Sequence, residues 1–150
     1  MTVFIDADSC PVIKEAEAVC RKYKIFVTIM CDPSHIIKSD YSKVITIDAG
    51  ANAVDLALIN SCKSGDIVIT QDYGLATLAL GKGCSCINQN GMLYTDSNID
   101  ILLSTRYISQ KLRNSKTKHH IKGPPKRTKD NNKAFVVAFE KLIKSLLSDL

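Results

Sequence analysis

At 150 residues, with 45% hydrophobic and 23% charged side chains, the chain has the size and balance of one globular domain, and no apolar run reaches the roughly 18 residues that cross a membrane. The net charge of +5 is unevenly spread: residues 111–129 hold eight Lys/Arg and no acid, whereas residues 1–110 hold nine Lys/Arg against twelve Asp/Glu. Six cysteines with no C-x-x-C pair, and an N-terminus without a basic, apolar leader, point to free thiols in the cytoplasm rather than a disulfide scaffold. The three histidines lie too far along the chain from Cys84 and Cys86 to spell a zinc site.

Val3-Phe4-Ile5 is a short continuous apolar run, as in a strand buried on both faces. Asp6 to Pro11 turn, and a helix follows to about Tyr23, with Pro11 in its first turn and Ser9 or Cys10 as cap. Ile25 to Met30 predicts a second strand, residues 33–42 a loop, and Lys43 to Ile47 a third strand. A helix is expected over Ala53 to Cys62, a fourth strand over Ile67 to Thr70, a short helix over Leu75 to Leu80 and a fifth strand over Cys84 to Ile87. Strands alternating with helices imply βαβ units, right-handed crossovers and a mainly parallel sheet of four to five strands. Asn90-Gly91 suits a small hairpin returning through Met92 to Thr95. Asp96 or Ser97 would cap a helix over Ile99 to Leu112. Residues 113–130, broken by Gly123-Pro124-Pro125, read as a mobile basic loop. Asp130 or Asn131 would cap a last helix over residues 131–148, whose apolar face, Phe135, Phe139, Leu142, Ile143 and Leu146, must dock on the body of the same single domain.

Ligands of open parallel sheets bind beyond the carboxyl ends of the strands. Asp6 and Asp8 follow strand one, Asp55 lies in the first turn of a helix starting at the same edge, and Asp72 lies two residues past strand four. Asp66 precedes strand four and belongs to the opposite edge as a turn residue. Any one of these acids could simply cap a helix or turn. All four at one rim, with no basic residue close in sequence, predict an oxygen-ligated Mg²⁺ or Mn²⁺ able to activate water and stabilise a phosphoryl transition state. Arg106, Arg113, Lys122, Lys126, Arg127 and Lys129 are the candidates for neutralising a nucleic-acid backbone, RNA before DNA. Cys10 has no histidine nearby and no C-x5-R arrangement, so it reads as a packing cysteine.

V-F-I-D-A-D-S-C-P-V at residues 3–12, G-D-I-V-I-T-Q-D-Y-G-L-A at residues 65–76 and Lys122-Gly123-Pro124 resemble the bacterial YaiI/YqxD family of uncharacterised proteins. The resemblance implies a PIN-like three-layer α/β sandwich and a relation to metal-dependent PIN nucleases, whose metal-binding acids match Asp6, Asp55 and Asp72; Asp8 is a feature of the family itself. Two departures stand out: no glutamate matches the further PIN acid, and Asn52 stands where some relatives carry Asp. Ile5-Asp6-Ala7-Asp8 also looks like the first motif of haloacid-dehalogenase-like phosphatases, although position 10 is Cys. A non-catalytic RNA-binding module with a relic acidic rim is the third reading. A homodimer through the last helix is open.

Overall fold

The computed structural model describes residues 1–8, 10–48, 50, 52–113 and 126–150, apart from the side chains of residues 106, 108–110 and 113. Six strands form one sheet: β1 (Thr2–Asp6), β2 (Phe26–Cys31), β3 (Lys43–Thr46), β4 (Ile67–Ile69), β5 (Ser85–Ile87) and β6 (Leu93–Tyr94). Their order is β3-β2-β1-β4-β5-β6; the first five are parallel and β6 pairs antiparallel with β5. The sixth strand, one beyond the expected count, is the return arm of the hairpin turned by Gly91 at φ +88.

Five helices cover the two faces: α1 (Ile13–Lys22), α2 (Ala53–Ser61), α3 (Tyr73–Gly81), α4 (Asp96–Arg113) and α5 (Lys129–Ser148). Strand alternation assigns them. Val3, Ile5, Val27 and Ile29 point into a core with Ala16 and Val19 of α1 and Phe135, Phe139 and Ile143 of α5. Phe4, Met30 and Val68 point into a second core with Leu58 of α2, Ala76 of α3 and Ile99 of α4. The result is a three-layer α/β sandwich. The path moves from β1 through α1 to β2 on one face, then from β3 through α2 to β4 on the other. A single crossover hand requires that change of face when the direction of travel reverses.

Helix starts are where the sequence misleads. The first helix begins at Ile13, not Pro11, with Val12 as N-cap and no side-chain cap bond. Cys10 N instead donates to the Ala7 carbonyl at 3.2 Å; Ser9 lies outside the described residues. The fourth helix begins at Asp96, three residues before Ile99, because Thr95 and Asn98 cap it reciprocally: Asn98 N donates to Thr95 Oγ1 at 3.1 Å and Thr95 N to Asn98 Oδ1 at 2.8 Å. Thr128, rather than Asp130 or Asn131, is the N-cap of α5, and its N–H donates to Asn131 Oδ1 at 2.8 Å.

The last helix docks as its apolar stripe requires. Phe135 and Phe139 stack with ring centroids 5.2 Å apart and are fully buried, each worth about 2–3 kcal/mol of burial. Gly91 sits so close that a Cβ there would lie 2.8 Å from the Ala134 carbonyl oxygen and 2.9 Å from Ala138 Cβ. The hairpin turn and α5 are therefore in backbone contact.

Candidate functional site

Strand order reverses at β1, since β2 and β3 lie on one side and β4 and β5 on the other. A crevice opens at such a switch point, beyond the carboxyl ends of the two central strands. Asp6 closes β1 there. It shares the sheet face of Phe4, towards the N-termini of α2 and α3, and is 6% exposed. Its Oδ2 accepts from Thr70 Oγ1 at 2.9 Å, and its Oδ1 has a long 3.4 Å contact from Asp8 N. Thr70, just past β4, also accepts the Asp72 N–H on its hydroxyl at 3.0 Å and is itself buried. Asp72 then caps α3, its Oδ1 accepting from Gly74 N at 2.8 Å and Leu75 N at 3.1 Å. That cap is why α3 starts at Tyr73, before the expected Leu75. It also explains Gly74, where a Cβ would stand 3.2 Å from the same Oδ1. Asp55, half-buried in the first turn of α2, and Asp8, exposed in the β1–α1 turn, complete the rim.

The electrostatics show that these acids feel one another. Burial first, then the Asp55 and Asp8 carboxylates, push Asp6 up to about 6, against the lowering effect of the Thr70 and Asp8 hydrogen bonds. Burial, then Asp72 and Asp8, raise Asp55. Among the described residues none of the four is in an ion pair. The cluster is looser than four converging ligands, however. No three His, Cys, Asp or Glu side chains among the described residues stand close enough to hold an ion as they are. The donor set is nevertheless all oxygen. Asp6 has one oxygen with only a long contact, and Asp72 spends a single oxygen on its cap. Such a set suits a hard cation that takes one or two carboxylates and fills its remaining positions with water or substrate oxygens, as Mg²⁺ does.

Thr70 is the residue the sequence reading passed over as a strand terminus. Asp66 lies at the opposite edge as expected, its carboxylate accepting from Thr2 N and Lys63 N, both at 2.9 Å. Cys10 is half-buried, and burial pushes its thiol up to about 11, so it is no ready nucleophile.

The chain belongs to the YaiI/YqxD family. The family model, described as uncharacterised, matches residues 4–145. A UPF0178 protein of Clostridium acetobutylicum is 50% identical over 143 residues, covering 95% of this chain and 97% of that one. UPF0178 proteins of Natranaerobius thermophilus (44% over 147 residues, 98% and 96% covered) and Exiguobacterium sibiricum (42% over 143 residues, 95% and 96%) are similar throughout. No solved structure matches the chain.

The basic candidates of this YaiI/YqxD chain divide. Lys122 and the side chains of Arg106 and Arg113 lie outside the described residues. Lys126 and Lys129 are exposed. Arg127 is half-buried and engaged: its guanidinium donates to the Gln89 carbonyl, to Asn90 Oδ1 and, at 2.8 Å, to Asn132 Oδ1. It thereby ties the end of the basic segment to the turn after β5, at the same edge as the acids, and its charge acts on Cys10 beside Asp6.

Proposed function

We propose that the carboxyl-edge rim is the divalent-cation site of a PIN-like phosphodiesterase acting on RNA, less readily on DNA. The observation that carries it is Asp6, a nearly buried carboxylate at the switch point that feels the charges of Asp55 and Asp8 and has no ion-pair partner among the described residues. Burying such a group uncompensated is costly, and a cation offsets both the burial and the mutual repulsion. Asp6 and Asp72 are the principal ligands in this reading. Asp8 and Asp55 hold a second ion or orient water. The bound ion supplies Lewis acidity and a more acidic water. The chain's own residues do the rest. Thr70 fixes the Asp6 carboxylate, the α3 cap fixes Asp72, and Asp6, titrating near 6, is poised to carry charge at neutral pH. Lys126 and Lys129 place charge for phosphates at the same edge.

The test is cleavage of a panel of single- and double-stranded RNAs with Mg²⁺ or Mn²⁺, comparing wild type with Asp6→Asn and Asp72→Asn. Loss of cleavage in both variants, with unchanged RNA binding, supports the reading. Metal-dependent cleavage that survives both substitutions sinks it. Hydrolysis of a generic phosphate monoester with beryllofluoride trapped on Asp6 would assign the rim to phosphatase chemistry instead.

A further inference from the structure

The amino edge of the sheet, opposite the acidic rim, carries a second feature. Thr2 and Phe26 are register partners on β1 and β2, and Thr28 and Lys43 on β2 and β3, so the four share one sheet face. Further along that face Phe4 and Met30 are covered by the second core. At the amino end the helices leave it open: Phe26 is 79% exposed, unusual for an aromatic in the second of six strands. A cavity of about 740 Å³ opens there, lined by Arg21, Lys24, Lys43, Phe26, Thr28 and Tyr41 among others. Its lining holds three cations and no acid. The Arg21 guanidinium lies 4.8 Å over the Tyr41 ring and reaches outward to Asp40 at 3.1 Å, and the Tyr41 hydroxyl is held by the Cys20 carbonyl at 3.2 Å and by that of Ile25. Lys24 is fixed in a left-handed turn at φ +56. Asp66, bonded beside Thr2 at the same edge, spends its carboxylate on the Thr2 and Lys63 amides.

An exposed ring flanked by cations is the arrangement that holds unpaired bases: each base offers a π-face to stack on, and the backbone offers a negative charge per nucleotide. We propose that this amino-edge cleft binds single-stranded nucleic acid, with a base stacked on Phe26 and flanking phosphates on Lys24, Lys43 and Arg21. Charge complementarity selects the occupant, because an apolar or cationic partner would leave Lys24 and Lys43, which have no ion pair among the described residues, facing it uncompensated, with Arg21 held to one side by Asp40. The inference deepens the reading of a nucleic-acid enzyme but does not need its metal. A strand held at the amino edge is held apart from the carboxyl-edge chemistry, which fits retention of a long polymer rather than turnover of a free nucleotide.

The experiment measures binding of fluorescein-labelled oligouridine to the full chain in EDTA, where the carboxyl-edge chemistry is silent, so failure of the nuclease reading leaves this result untouched. Phe26→Ala should weaken binding by about fivefold or more, the effect of one base–aromatic stack, and Phe26→Tyr should restore it. Lys43→Gln and Lys24→Asn, the latter suited to the positive φ, should each lower the salt slope by about 0.7. Amide chemical-shift changes on titrating oligouridine should centre on residues 24–28 and 43. Phe26→Ala binding as well as wild type, or shifts confined to other surfaces, would overturn the proposal. Uridine monophosphate binding as tightly as the oligomer would replace the strand by a free nucleotide.

Discussion

The Thr70 hydroxyl donates to the Asp6 carboxylate at 2.9 Å across the switch point and accepts the Asp72 N–H at 3.0 Å. One small side chain thus links the end of β1 to the cap of α3, and the rim's two central acids are positioned through it. The hydroxyl can do both because it carries one donor and two acceptor lone pairs. Thr70→Val keeps the shape but removes donor and acceptor together, leaving the Asp72 amide without that acceptor. Chemical denaturation should show a loss of about 2 kcal/mol, within the range for an unsatisfied buried group, and Thr70→Ser should recover most of it. Equal stability of the Val and Ser variants would contradict this role.

The shift on Asp6 sets a pH dependence of unusual sign. Its carboxyl titrates near 3.8 in the unfolded chain and near 6 in the folded one. Between those values the folded state keeps a proton that the unfolded state has lost, so stability falls as pH rises through this window. Above about pH 6 the cost is complete, on the order of 3 kcal/mol. Asp6→Asn carries no charge at any pH. In EDTA it should therefore be more stable than wild type at neutral pH, with the advantage gone below about pH 4. Denaturation midpoints across pH check it, and a variant less stable than wild type at neutral pH would refute the burial argument.

Much of this was legible in the sequence. Short apolar runs such as Val3-Phe4-Ile5 and Ile67-Val68-Ile69 marked strands buried on both faces, and those runs fixed which edge Asp6 and Asp72 would share. Helix starts were less readable, because Asp, Ser, Asn and Thr all make good caps and the sequence offers several within a few residues; the reciprocal Thr95–Asn98 bonds decide only once the chain has turned. Thr70 was missed since a threonine ending a strand looks the same whether its hydroxyl meets water or a carboxylate 64 residues away. The tether of Arg127 to Gln89 and Asn90 was missed for the same reason, spanning 38 and 37 residues.

That tether yields a further prediction. Arg127→Ala removes three hydrogen bonds joining the α5 entry to the turn after β5, and should cost about 1–3 kcal/mol in denaturation. Lys126→Ala and Lys129→Ala, at exposed positions, should stay within about 0.5 kcal/mol of wild type while weakening RNA binding and its salt dependence. If Arg127→Ala proves as stable as the two lysine variants, Arg127 is a phosphate contact and no anchor.

A manganese soak of crystals of the full chain tests most directly whether the carboxyl-edge acids hold a divalent ion. An anomalous peak between the Asp6 and Asp72 carboxylates, absent from the Asp6→Asn variant, is the predicted result. A fully soaked crystal with manganese elsewhere and none between these two side chains would contradict it.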